Sequence, residues 1–158
     1  MINVGHFREL VIRPVLHGIG RYSEAAENLL VGIALHESKL EYLTQLSGGP
    51  ARGVYQMEES THADLWNSWL RYRSSQGARL WVWATRRDSA GLPMPDHAEL
   101  VGNLYYATAA AREQLYRAKP PLPEPDDDVG LANYWEDHWC KGCVGTTRQW
   151  LRTYRKYS

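Results

Sequence analysis

An all-α fold is what this chain predicts, and two apolar stripes with their start signals carry the prediction. Apolar residues recur at helical spacing at Ala26, Leu30, Ile33 and Ala34, and again at Leu100, Leu104, Ala107, Ala111 and Leu115. Each stripe has capping residues ahead of it: Ser23 before the first, and Asp96 with Glu99 at capping-box spacing before the second. A length of 158 residues suits a single domain over residues 1–158 with one core.

Taken in order, residues 6–10 begin a first helix, and Pro14 starts a second short one that Gly18 and Gly20 end. Arg13 precedes the proline, which predicts a break there. From Ser23 a helix runs to about Ser38, with Glu24 and Glu27 in its first turn, where the dipole favours acids. Residues 44–57 read as a glycine-rich loop and a run around Gln56 too short to count as sheet. Thr61 with Asp64 forms a capping-box pattern for a helix burying Leu65, Trp66, Trp69 and Tyr72, which residues 74–77 end. Leu80 to Ala84 is read as helix, and residues 88–95 as loop. The clearest helix runs from Asp96 to about Ala118, and Pro120, Pro121 and Pro123 stop it. Acids at 126–128 open a helix through Trp139, and Thr146 or Thr147 caps a last one burying Trp150, Leu151 and Tyr154.

Lysine plus arginine equals aspartate plus glutamate, so the formal net charge is zero. That balance argues against a nucleic-acid binder, whose affinity would need a dominant basic face. No apolar run reaches the length of a membrane span, and no basic stretch followed by an apolar core marks a secretory signal. The unusual feature is seven Trp and ten Tyr against one Phe. Their flat apolar faces and polar edges suit sugar rings, although at least half are expected to fill the core.

Glu37 continues the first stripe, seven residues beyond Leu30, four beyond Ile33 and three beyond Ala34. A carboxyl directed at a core is desolvated, which raises its pKa and lets it act as a general acid near neutral pH. About twenty residues on, a glycine-punctuated loop returns with Gln56, a neutral amide able to hold a polar ligand. The ordered set Glu37-Ser38, Gln45-Leu46, Gly48 to Ala51, Gly53, Gln56-Met57-Glu58 and Thr61-His62 resembles the soluble lytic transglycosylases, which share the goose-type lysozyme fold. The likeness is to the compact, phage-encoded branch, and extends through Asn103 to Ala107, Leu122-Pro123 and Ala132 to Trp135.

The resemblance implies cleavage of peptidoglycan between N-acetylmuramic acid and N-acetylglucosamine, with Glu37 as acid and then base and no cofactor. It implies that Gln56, Glu58, Ser38, Tyr105, Tyr106 and Trp139 line the substrate groove, and that the helix from Asp96 is the buried central one. No base is spaced to activate Ser38, so its expected task is to cap the helix end or fix the loop. One departure stands out: the family has a Tyr-Asn pair where this chain has Trp139-Cys140. The missing hydroxyl leaves Tyr105 or Tyr106 to support the site. Two other readings stay open: a hydrolytic lysozyme with Glu58, Glu59 or Asp64 as second carboxylate, and a wall-binding virion protein without turnover. Implied partners are glycan strands and other phage virion proteins. The implied setting is a virion, or the host periplasm and cell wall during infection.

Cys140 and Cys143 lack the further ligands of a zinc site and the strand context of a redox motif. Two free thiols are expected, with a local disulfide as the alternative. His36 is expected on the groove or surface, and His17, His62 and His97 at helix ends or in loops. Arg148, Arg152, Arg155 and Lys156 read as a solvated basic face, or a dock for anionic polymer.

Overall fold

The computed structural model describes residues 1–46, 48–87, 89–91, 95–140, 143 and 145–157. The described residues form helices and loops with no strand; isolated bridges join Thr44 to Arg52 and Arg52 to Met57. None of these helices is long and apolar enough to cross a membrane.

The break expected before Pro14 is absent. Helix α1 (Val4–Phe7), a wide π-helical turn (Arg8–Ile12) and α2 (Arg13–Gly18) run on continuously. Arg13 donates its N–H five residues back to the Arg8 carbonyl, and this wider turn accommodates a proline ring that has no N–H to give. Helix α3 (Glu24–Ser38) is the element the rest packs on. Its start is the predicted one, with Ser23 Oγ accepting the Ala26 N–H at 3.1 Å. It stops where Lys39 and Leu40 turn left-handed, at φ of 56° and 51°.

Glu27 does more than answer the helix dipole. It is buried and takes Arg8 Nη1 at 3.0 Å and Arg13 Nε at 2.8 Å. Burial pushes its pKa up, but the hydrogen bonds from Arg13 and Arg8 outweigh that and hold it below the ordinary carboxylate value.

Helix α4 (Glu59–Asp64) begins two residues before Thr61, with Glu58 as N-cap, so the capping box expected at Thr61 does not form. The helix continues through a π-helical turn (Leu65–Trp69) and a 3-10 turn (Leu70–Tyr72). Leu65 and Trp66 are buried as expected, whereas Tyr72 is 73% exposed because the tightened last turn rotates it outward. Residues 74–77 do not end a helix. The chain bends at Arg73 (φ −136°, ψ 67°) and Ser74 opens α5 (Ser74–Trp81), so only the first part of the expected 80–84 helix is helical. The loop expected over 88–95 lies partly outside the described residues.

The long helix expected from Asp96 is two. Helix α6 (Glu99–Gly102) ends at Asn103, whose Oδ1 then caps α7 (Leu104–Tyr116) by accepting the Tyr106 N–H at 3.0 Å. Asn103 is held out of helical geometry by its own Nδ2, which donates to the Trp83 carbonyl at 2.7 Å and Glu99 Oε2 at 2.8 Å. Its local bonds compete with the helix ladder and win.

Helix α8 (Asp128–His138) is capped by Asp127, whose Oδ1 accepts the Gly130 N–H at 2.8 Å. Helix α9 (Thr147–Tyr157) has a reciprocal capping box: Thr146 Oγ1 accepts from Gln149 N, and Gln149 Oε1 accepts from Thr146 N.

Helix α3 packs against α7, α8 and α9, and Trp150 of α9 lies fully buried over Gly32. Any Cβ at Gly32 would overlap the Trp150 ring. The missing side chain is what lets α9 approach α3 so closely.

Candidate active site

Glu37, next to last in α3, is half-buried, and Trp135 Nε1 of α8 donates to its Oε1 at 3.1 Å. Burial raises the pKa of the carboxyl and the Trp135 hydrogen bond lowers it. Burial wins, leaving a value of about 7. Such an acid is half-protonated near neutral pH, the condition for giving a proton and taking one back.

Gln56 follows a tight turn in which Arg52 and Met57 exchange both backbone hydrogen bonds, at 2.9 and 3.0 Å. The turn holds Gln56 at φ 48°, and its Nε2 donates to the Gly53 carbonyl at 2.7 Å. The amide oxygen makes no hydrogen bond among the described residues, so it remains an available acceptor. Glu37, Gln56, Glu58 and Trp139 line one cavity of about 430 Å³, whose remaining wall includes Gln114 of α7 and His138. Glu58 is exposed, while Trp139 is half-buried with its ring edge-on to Tyr55 at 6.5 Å.

Three residues grouped with the groove lie elsewhere. Ser38 is fully buried. Its hydroxyl lies 3.0 Å from the Ala34 carbonyl and 2.7 Å from the Val54 carbonyl, and accepts the Leu40 N–H at 3.2 Å. It ties the end of α3 to the Gln56 loop, and no ligand can reach it. Tyr106 is also fully buried, with its hydroxyl accepting from Trp66 Nε1 at 2.9 Å and pairing with His62 Nε2 at 2.7 Å.

Tyr105 is 41% exposed but lines a separate cavity of about 560 Å³ that shares no residue with the first. A side chain one residue further along a helix points about a quarter-turn away, so adjacent tyrosines on α7 cannot both serve one site. Neither brings a hydroxyl to the Glu37 cavity. His62, expected at a helix end or in a loop, lies in the last turn of α4 and is also a core group. Burial, and His97 nearby, push its pKa down to about 4 despite the opposing effect of Asp96.

The larger cavity has an acid of its own, Glu99, but not a proton donor. Burial works against its charge, yet bonds from Thr85, Asn103 and the Arg86 N–H hold its pKa below the ordinary value. Among the other acids considered, Glu59 is exposed and Asp64 pairs with Arg117 at 2.8 Å, and neither lines the Glu37 cavity.

Cys140 and Cys143 are joined in a disulfide rather than free. A turn in which the Cys143 N–H donates to the Cys140 carbonyl at 3.2 Å brings their Cα atoms to 5.1 Å, within bridging range. Both sulfurs' residues border the Glu37 cavity. No group of three or more His, Cys, Asp or Glu among the described residues is arranged to hold a metal ion.

Trp135 is the site residue that sequence reasoning passed over. It precedes His138 and Trp139 by three and four positions, so all three share a face of α8, and that spacing was a readable signal. His36 packs against the Trp135 ring at 4.5 Å, and burial lowers its pKa. Gly145 closes the contact: a Cβ there would meet His36 Nε2 at 2.7 Å and Trp135 at 2.9 Å.

Fold and site together define an all-helical protein with a near-neutral carboxylic acid in a polar, aromatic-walled cavity. Compared with protein-family models, curated proteins and solved structures, the chain matches none.

Proposed function

We propose that this chain is a peptidoglycan lytic transglycosylase of the lysozyme-like, goose-type fold, working with Glu37 alone as acid and then base. The observation that carries the reading is the Glu37 carboxyl, held at a pKa of about 7 beside Gln56 and Trp139 in one cavity. Protonated Glu37 gives its proton to the oxygen joining N-acetylmuramic acid to N-acetylglucosamine. That C–O bond breaks, and its electron pair leaves with the oxygen. The carboxylate then takes the proton of the muramoyl 6-hydroxyl as this oxygen bonds to the anomeric carbon. An anhydro ring closes, and Glu37 is an acid again. The Gln56 amide oxygen accepts from a sugar hydroxyl or acetamido N–H, and Trp139 offers an apolar wall to a ring face. The biological setting that goes with this reading is a phage particle opening the wall for genome entry.

Hydrolysis is the second reading, favoured by Glu58, a further carboxylate on the same cavity. Wild type and Glu37→Gln are compared on peptidoglycan zymograms, with mass spectrometry of the products. Clearing that Glu37→Gln abolishes, with anhydro ends, supports the transglycosylase. Reducing ends move the assignment to a hydrolase. No clearing by wild type across pH 5–8 rejects both and favours a wall-binding virion protein.

A further inference from the structure

The cavity of about 560 Å³ away from Glu37 has the makings of a second ligand site. Its volume falls within the range of about 300–1,000 Å³ usual for small-molecule sites. Trp83 and Tyr105 both line it and stack on each other at 5.3 Å, with their planes 25° apart. The indole is seated against Gly18, where a Cβ would come within 2.9 Å of its ring. Behind the pair, Glu99 accepts from Thr85 and Arg86, and Asn103 bridges Glu99 to the Trp83 carbonyl. This network fixes the wall while leaving Trp83 Nε1 and the Tyr105 hydroxyl without a hydrogen bond among the described residues.

Charge narrows the ligand. The Glu99 carboxylate keeps its charge, but it is buried and already takes four hydrogen bonds, so it presents no open oxygen for a cation to coordinate. Arg86 is tethered to Asp96 at 3.4 Å, so no unpaired cation invites a phosphate. What remains is a stacked aromatic surface, two free hydrogen-bonding groups and the apolar side chains of Val11 and Leu104. A neutral, flat-faced, polyhydroxylated molecule matches that set: its C–H faces lie on the rings while its hydroxyls take the polar groups.

We propose that this cavity is a non-catalytic saccharide-binding site, separate from Glu37, that holds an N-acetylated glycan. The choice of an N-acetylated glycan rests on the transglycosylase reading; a saccharide of some kind does not.

The test uses ¹⁵N-labelled Glu37→Gln protein titrated with the tetramer of N-acetylglucosamine and, separately, with cellotetraose. Expected are saturable shifts of the Trp83 indole N–H and the Tyr105 amide. Their midpoint weakens about tenfold in Tyr105→Ala, while the shifts at Trp139 keep their own midpoint. Response to both sugars keeps the saccharide site but removes the N-acetyl specificity. Shifts confined to Trp139 and Gln56, or none at Trp83 with either sugar at about 1 mM, overturn the proposal. Absence of wall clearing by the wild type defeats the enzyme reading and leaves the Trp83 shifts to be judged separately.

Discussion

Replacing Glu37 by glutamine isolates the energetic consequence of holding an acid out of water. The side chain keeps its shape, and its amide oxygen can still accept the Trp135 indole N–H, but it no longer titrates. In the wild type the folded-state pKa is about 7 against an ordinary 4.5. The folded chain therefore holds this proton more tightly than the unfolded one. Its contribution to stability is fully present below pH 4.5 and is lost as pH rises to 7. At roughly 1.4 kcal/mol per pH unit, the loss comes to about 3 kcal/mol above pH 7.

His62 acts oppositely over nearly the same window. Its folded pKa of about 4 lies below the ordinary 6.5, so its contribution is present above pH 6.5 and is lost as pH falls toward 4. The two largely cancel in the wild type. Urea unfolding at steps from pH 4 to pH 8 separates them. The stabilities of wild type and Glu37→Gln coincide at pH 4, and the variant is the more stable by about 3 kcal/mol at pH 8, or about 6–12 °C in melting temperature. Parallel curves, with the same difference at every pH, would refute the claim that Glu37 is protonated by burial.

Trp135→Phe deletes the donor that favours the Glu37 carboxylate, so the Glu37 pKa rises above 7 in an NMR titration; a fall means that water entry outweighs the lost bond. Gly32→Ala, which in an open helix stabilises by about 1 kcal/mol, here destabilises by about 1–3 kcal/mol through overpacking against Trp150. Chemical denaturation reads the sign, and a stabilised variant contradicts the close α3–α9 approach. Glu27→Ala strands two guanidinium groups, on the half-buried Arg8 and the half-exposed Arg13, and costs about 1–3 kcal/mol at neutral pH. Because the Glu27 pKa is depressed in the fold, that difference is present above its ordinary pKa of 4.5 and shrinks as pH falls through the lower folded value.

Much of this protein was legible in local chemistry. The Ser23 cap, the stripe through Ala26, Leu30 and Ile33, the Thr146 start of α9 and the end of α8 all follow from bonds between residues a few positions apart. Periodicity set Glu37 on the line of the apolar stripe, and the glycine-punctuated loop returning with Gln56 was what favoured the inward direction.

What lay beyond reach depended on partners distant in the chain. Asn103 breaks the long helix because Trp83, twenty residues away, offers a carbonyl. Pro14 goes unbroken because the turn before it widens. Tyr106 is closed off by His62 and Trp66, while Tyr105 faces a different cavity. The resemblance that grouped both with the groove had no means of telling one helix face from the next. Sequence by itself determined which segments coil and which face each turns inward, since those choices are settled within a turn or two. Only the tertiary structure decided which acid loses its water and which tyrosine keeps it, because desolvation comes from atoms that folding alone brings near.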